Sequence, residues 1–367
     1  MTARGDGKQH AAHNSRATAL RPEAVYERPI RRILVLHRGV SPTTDIYLRP
    51  RLRSAAYPVS YHDILQPLPA NQLDDGTFVV VVRYLNAASA RALWAARSAL
   101  SGVAYLMDDD IPQARRDASL PRDYRWTVAA FWMVFRPVLA RIASEIWVTS
   151  PGLENAYAGR HVHRMDPLYV GPDRTRTAAA DPDAPVRLFY HGGRTHAADQ
   201  RWLRDVIERV QDARQSSVFE IFGDAEVAHL FASIPRCRVL QRLRWPDYLS
   251  YTAGERLDIG LAPAVSGPYN AARSFNKAYD ITRTGAAGVY ADIPSFRKFV
   301  NSGREGILAP VDSKDAWVEA ILALIDDPAR RRRIHAAALR RAHQIADREL
   351  HAPLITRFRA PPGKVQE

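Results

Sequence analysis

Short apolar runs alternate with stretches of helical spacing along nearly the whole chain, and this alternation restricts the fold more than any other feature. Short runs bounded by Gly, Pro or charge read as buried parallel strands, and the amphipathic stretches between them read as crossover helices. The first run, RRILVLHRG, opens at Arg31. PVSYHDI, TFVVVVRY, GVAYLMDDDIP and SEIWVTS follow, interleaved with ASARALWAARSAL and RWTVAAFWMVFRPVLARIA. In the first of these helical stretches the spacing sends Ala90, Leu93, Trp94 and Ala96 toward a core; the second is expected to bend or break at Pro137. From about 160 to 186 the rhythm lapses into a segment rich in Pro, Asp and Ala, which reads as an interdomain connection. It then restarts with VRLFYHGG, SVFEIFGD, RCRVLQRL, LDIGLAPA and AGVYAD. THAADQRWLRDVIERVQDARQ reads as a helix with Thr195 as its N-cap. KDAWVEAILALIDD and PARRRRIHAAALRRAHQIA close the chain as long helices. The expectation is an α/β protein with two similar Rossmann-like domains facing each other. Its expected parts are a disordered leader over 1–28, one domain over 29–170, a linker over 171–186, a second domain over 187–346, and a C-terminal helix or tail over 347–367.

Composition narrows the function classes. Hydrophobic residues make up 46% and charged residues 25% of the 367, a globular balance. No apolar stretch reaches the roughly 20 residues that span a bilayer, and the N-terminus lacks the apolar core of a secretory signal. The expected location is cytoplasmic, or peripheral at the inner face of a membrane. Cys237 is the lone cysteine, so an intramolecular disulfide and a cysteine-based zinc site are excluded. The formal charge of +13 has two readings: a surface for an anionic partner, or an abundance of arginine without consequence. No zinc-finger spacing or RNA-binding signature supports nucleic acid as the partner. Five of the 52 basic residues are lysine, so a lysine in this chain marks a place where a compact point charge is wanted.

One such lysine lies in the segment IGLAPAVSGPYNAARSFNKAYDITRTG. A strand ends at Pro263, a polar loop follows, and a helix is expected to begin near Ser274 and close at Gly285. A helix N-terminus presents free N–H groups and the positive end of a dipole, which suit a phosphate. Ser274 caps the helix or donates to an oxygen. Lys277, near the same end, neutralises a pyrophosphate. Asp280, three residues on, shares its face and suits ribose hydroxyls. The plainer alternative is a cap and a surface ion pair. A second segment, FYHGGRTHAADQ, runs a strand into Gly192 and Gly193 before a helix, where backbone can approach a phosphate closely. In the first half, the loop after the first strand offers Gly39, Thr44, Asp45 and Arg49. MDDDIP places Asp108, Asp109 and Asp110 at a strand end, as a turn, an acceptor-side group or a metal site. Trp126, Phe131, Trp132 and Phe135 alternate with Arg125, Arg136 and Arg141, as in a core helix or one lying on anionic lipid. The run Arg330 to Arg333 reads as a solvated helix face.

The segment carrying Gly260, Leu261, Pro263, Asn270, Ser274, Lys277, Asp280 and Gly285, with Asp292, Pro294 and Phe296 after it, resembles the donor-binding region of GT-B glycosyltransferases. The closest likeness is to the glycosyltransferase family 4-like enzymes of bacterial polysaccharide assembly. EGILAPVDSKDAWVEAILALIDDPARR continues the resemblance, which covers about 185 to 345 and weakens over the first half. Gly193, Arg194, Thr195, His196 and Asp199 match in part a second motif of that family.

The resemblance implies a GT-B fold with an acceptor domain first and a donor domain second. It implies an enzyme moving a sugar from a nucleoside-diphosphate sugar to a glycan, lipid-linked or small-molecule acceptor, with retention of configuration. Lys277 and Arg194 would act on the diphosphate; Gly193, Thr195, Ser274, Asp280 and Asn270 would bind the donor. Gly39, Thr44, Asp45 and Asp108 would lie on the acceptor side, with His37 or Asp45 as candidate bases. No metal and no cofactor beyond the donor is implied. The expected partners are the nucleotide sugar, the acceptor and an anionic membrane contacted peripherally. One departure stands out. Where the family carries a carboxylate that touches the donor sugar, this chain has Ala272. A binding protein that keeps the fold without turnover, or a nucleotide-sugar epimerase, is the alternative reading.

Overall fold

The computed structural model describes residues 20–359 apart from 158, 160, 175–183 and 266. The expected leader therefore falls mostly outside the described residues. Two six-stranded sheets dominate them. The first has the order β2-β1-β3-β4-β5-β6, with β1 Arg32–His37, β2 Val59–Asp63, β3 Thr77–Val82, β4 Gly102–Met107, β5 Glu145–Val148 and β6 Val162–Arg164. The second has the order β12-β11-β10-β7-β8-β9, with β7 Val186–Tyr190, β8 Ser217–Phe222, β9 Cys237–Leu240, β10 Ile259–Ala262, β11 Ala287–Ala291 and β12 Ile307–Ala309. All strand pairs are parallel.

The reason lies in the runs themselves. TFVVVV and GVAYLM are buried at every position, as strands covered on both faces must be. The covering helices are α1 Ala87–Ala96, α2 Arg122–Ile142 and α3 Pro151–Ala156 in the first half. In the second they are α4 Ala197–Ala213, α5 Trp245–Gly254, α6 Asn276–Arg283, α7 Lys314–Asp326 and α8 Pro328–Leu350.

Several expectations need correction. The segment from 160 is not all connection, because His163 and its neighbours form β6 at the sheet edge. Helix α2 runs unbroken through Pro137. The proline ring lies on the exposed side, where the carbonyl it leaves unpaired can meet water. Trp94 points outward, while Ala90 and Leu93 enter the core. Thr195 is not a cap: it sits inside a 3-10 turn, Arg194–His196, and His196 precedes α4.

Both ends of the described chain are packed. Leu20 is buried, Glu23 N–H donates to the Ala140 carbonyl, and the Tyr26 hydroxyl donates to that of Ile142, so residues 20–28 lie along the end of α2. At the other end the chain leaves α8 and returns to the first domain. Phe358 is buried edge-on against Phe78 at 5.1 Å and Trp147 at 6.2 Å. Arg51, wholly buried, pairs with Glu349 at 2.7 Å and donates to the Tyr47 and Asp166 carbonyls. Among the described residues no helix is long and apolar enough to cross a membrane.

In the second sheet β7 leads outward to β8 and β9, whereas β10 starts the other wing beside β7. The strand order reverses between these two, and ligands of such sheets bind beyond the C-terminal strand ends at that reversal. Gly260 in β10 lets α6 lie flush on the sheet: a Cβ there would stand 2.4 Å from Ile281 Cγ1. Gly260→Ala is therefore expected to lower stability by about 1–3 kcal/mol through overpacking, read from denaturant unfolding of both proteins.

Candidate functional site

The cleft between the two domains opens at this reversal and holds a cavity of about 260 Å3. Its walls come from the loop after β1 (Pro42, Thr43), the ends of β3 and β4 (Arg83, Asp108, Asp109), the turn after β7 (Thr195, His196, Asp199) and the connection from β10 to α6 (Asn270, Arg273, Ser274, Lys277).

Asp199 organises the C-terminal side. It is buried and accepts from the Tyr190 hydroxyl at 3.0 Å, from His196 Nδ1 at 2.9 Å and from Val265 N–H at 2.9 Å. One carboxylate thus ties the end of β7, the start of α4 and the loop after β10. Burial works to raise its pKa, but the hydrogen bond from His196, the Val265 amide and the charge of Arg273 outweigh burial and hold it low. His196 is driven down to about 3, first by burial and then by Arg273 and Lys277, against the pull of Asp199. Its imidazole is neutral at physiological pH: Nδ1 donates to Asp199, and Nε2 accepts from Arg273 at 2.6 Å.

Lys277 sits in the first turn of α6. Its ammonium donates to the His191 carbonyl at 2.8 Å and lies 4.8 Å from the centre of the Tyr190 ring. Among the described residues it has no carboxylate within ion-pair distance. Burial lowers its pKa to about 8; Arg273 adds to that shift, while Asp280 and Asp199 oppose it. A half-buried ammonium that gives one hydrogen bond to a carbonyl, at a cleft wall, is a site for an anion.

Arg273 closes the other side, stacked 4.7 Å over Tyr269 and donating to Thr195 Oγ1 at 3.2 Å. Burial disfavours its charge, but Tyr269 and Asp109 more than offset that. Asp109 in turn pairs with Arg83 at 2.5 Å, and Arg83 bridges to Asp108 at 2.9 Å. Burial works to raise the Asp109 carboxyl, yet Arg83 and Arg273 hold it low. Asp108 is raised, chiefly by burial, while Arg83 opposes. The cleft is therefore crossed by an alternating line of charges from both domains.

The predicted residues divide. Lys277, Ser274, Asn270, Thr195 and Asp108 line the cavity together. Ser274 is not the N-cap of α6, which starts at Asn276 after Phe275; its hydroxyl lies 3.5 Å from Asn276 Oδ1. Asn270 donates to the Val265 carbonyl and braces the loop. Gly193, just before the 3-10 turn that follows β7, has open space where a Cβ would go, whereas at Gly192 a Cβ would strike the Tyr190 ring at 2.7 Å. The side chain of Arg194 lies outside the described residues. Asp280 is engaged by Arg283 at 3.2 Å and stands outside the cavity wall.

On the acceptor side only Asp108 reaches the cavity. Gly39, with a φ of 63°, turns the loop after β1, and its carbonyl lies 2.7 Å from His37 Nδ1. Thr44 is buried behind that loop. Asp45 is paired with Arg49 and accepts from Trp245 Nε1 across the cleft at 2.8 Å, so it is not a free base. Asp110 caps the short turn Ile111–Ala114, and burial raises its carboxyl to about 6. With Asp108 and Asp109 held by Arg83, no group of three acidic, His or Cys side chains among the described residues could hold a metal.

Sequence reasoning missed Arg273 and Arg83, and offered Asp109 only as one of three adjacent acids. Their importance comes from meeting across the cleft, which no local pattern encodes. Arg273 left one signal, a lone charge between Ala and Ser in an otherwise neutral run.

No protein-family model matches this chain, and no curated protein does. Solved structures are similar to it. HepE from Anabaena, in complex with UDP and glucose, superposes with a TM-score of 0.58 at 14% identity, over 87% of this chain and 98% of that one. Sucrose-phosphate synthase from Thermosynechococcus elongatus gives 0.60 at 13%, over 87% and 96%. The pneumococcal O-GlcNAc transferase GtfA, with UDP and GlcNAc, gives 0.51 at 14%, over 77% and 56%. The fold is GT-B, the two-domain architecture of these glycosyltransferases. The likeness covers both domains, so the weak sequence resemblance of the first half does not reflect a different fold.

The pKa of Lys277 gives a test of the site. Its charge disappears as pH rises through about 8, and the attraction for an anion goes with it. The unfolded lysine holds its proton to higher pH, so deprotonation of Lys277 favours the folded state over that interval. Affinity for inorganic pyrophosphate, measured by calorimetry, is expected to fall on passing from pH 7 to 9. Lys277→Arg, which stays charged, should flatten that profile.

Proposed function

We propose that this protein is a glycosyltransferase that takes a sugar from a nucleoside diphosphate and passes it to an acceptor hydroxyl held against the first domain. The observation that carries the reading is Lys277: a half-buried cation without a carboxylate partner among the described residues, at the start of α6, facing a cavity at the strand-order reversal of a GT-B fold.

The diphosphate would lie along Lys277 and the amides that open α6, with the turn at Gly193 on its other side. Arg194 would be a second diphosphate contact. As the bond between the anomeric carbon and the diphosphate oxygen breaks, negative charge grows on the leaving group. Fixed positive charge there lowers the barrier, and more so in a cavity closed to water. The ribose would lie toward Asp280, with Arg283 holding that carboxylate in place.

The acceptor would approach past Thr43 and Asp108. Each carboxylate in the cavity is already engaged: Asp108 and Asp109 by Arg83, Asp199 by Tyr190, His196 and Val265. No spare carboxylate offers itself as a base. This supports retention of configuration, in which the acceptor oxygen bonds to the anomeric carbon on the face the diphosphate leaves, and the departing diphosphate takes the acceptor's proton.

Ala272 is buried, and its carbonyl accepts from the Ser150 hydroxyl at 2.5 Å. Contacts to the donor sugar therefore fall to neighbouring groups, of which Arg273, His196 and Asp109 are nearest the cavity.

A thermal-shift screen against UDP-, GDP-, ADP- and dTDP-sugars identifies the donor, because binding to the folded state raises Tm. With that donor, Lys277→Ala is expected to lower kcat/KM at least about tenfold, roughly 1.4 kcal/mol or more of transition-state stabilisation, with Tm little changed. Unchanged kinetics would remove the site assignment. Donor binding without turnover, across many acceptors, would instead identify a binding protein.

A further inference from the structure

Helix α2 is apolar on its exposed side as well as on its buried one. A surface helix normally turns polar residues to water and apolar ones to the core. The buried side of α2 is ordinary, with Val128, Trp132, Leu139 and Ile142 in the first domain's core. The exposed side is not. Trp126 is 74% exposed, Met133 63% and Val134 60%, and Ala130 and Pro137 lie on the same face. These five positions follow helical spacing and form a stripe about 16 Å long at 1.5 Å per residue. Arg122 and Arg141 stand exposed at its two ends. Over Arg122–Ile142 the helix contains four arginines and one acid, Asp123 in its first turn.

The neighbouring helix α1 has the same character. Trp94 is 42% exposed, Arg97 stacks on its ring at 4.6 Å, and Arg91 is exposed one turn earlier. Contiguous exposed apolar surface marks a docking face. A stripe of Trp, Met and Val flanked by arginine is the composition that enters the interface of an anionic bilayer, apolar groups among the acyl chains and guanidinium groups at the phosphates.

We propose that the exposed face of α2, with Trp126, Met133 and Val134 as its apolar anchors and Arg122 and Arg141 at its ends, docks this protein on an anionic lipid surface. The charge favours lipid over a second copy of the chain. Two copies apposed through α2 would bring like-charged arginine ends together, whereas anionic headgroups neutralise them. Docking also fits the position of the cleft. Tyr124, in the first turn of α2, has its hydroxyl 3.5 Å from that of Tyr269 in the loop between β10 and α6. The cleft then lies beside the lipid surface, which suits a lipid-linked acceptor. That last step rests on the glycosyltransferase reading; the docking itself does not.

The test is co-sedimentation of the full chain with vesicles of phosphatidylcholine alone and of phosphatidylcholine with phosphatidylglycerol. The wild type is expected to bind the anionic vesicles at least about tenfold more tightly, and to lose affinity as salt rises from about 0.05 to about 0.5 M. The triple variant Trp126→Ser, Met133→Ser, Val134→Ser should lose at least about tenfold in binding, with unchanged Tm and unchanged donor-induced thermal shift. Should the triple variant fail to fold, wild type and Trp126→Phe are compared with brominated lipid: Trp126 fluorescence should be quenched in the wild type, and that component should be missing in Trp126→Phe. No binding to anionic vesicles, equal binding by the triple variant, or no quenching of Trp126 would overturn the proposal. So would sedimentation equilibrium showing a dimer that the triple variant dissociates, which would assign the face to a second copy.

Discussion

The site depends on one buried carboxylate. Asp199 joins Tyr190 at the end of β7, His196 at the start of α4 and Val265 in the loop after β10. These elements belong to the two wings of the second sheet, and they separate where the strand order reverses. A crevice forms at such a reversal because the connections leave in opposite directions, and something must hold its rims. A charge shared among three donors does this in a low-dielectric setting where each hydrogen bond is strong and an unmade one is costly. Tyr190, fixed by that bond, presents its ring to Lys277. The cation that defines the site is thus positioned by the residue that holds the crevice together.

The two domains meet through polar contacts as well as apolar ones. Arg83, Asp109 and Arg273 form a chain of charges across the cleft, and Trp245 bonds to Asp45 at its other end. Tyr269 leaves its own domain to enter the core of the first. The C-terminal segment returns likewise, seating Phe358 between Phe78 and Trp147. Such crossings tie the walls of the cleft to both domains. The buried Phe358 cannot leave without exposing its ring.

Most of the fold was legible in the chain. Strand runs such as TFVVVV and GVAYLM are almost wholly apolar, and only a parallel sheet covered on both faces buries them fully. Where the reading failed, the reason is physical. Pro137 did not break α2, because its freed carbonyl faces water. Trp94 and Trp126 lie outside, though helical spacing and hydrophobicity favour a core, because period alone does not say which of two apolar faces meets the sheet. Strand β6 was lost in a Pro- and Asp-rich connection, since an edge strand of three residues leaves almost no pattern.

For the site, the chain by itself determined the pieces: a lysine rare in its surroundings, a Gly-Gly turn after a strand, and a helix expected from near Ser274, two residues before it begins. Those are local matters, set by residue type and spacing. Only the tertiary structure decided which pieces share a cavity. It brought Lys277 and Thr195 to one wall, drew Asp45 and Asp280 away into ion pairs, and supplied Arg83, Asp109 and Arg273 from three separate elements. The reason is that a charge's role depends on its burial and on its partner, and both are fixed by long-range packing that spacing along a chain does not encode.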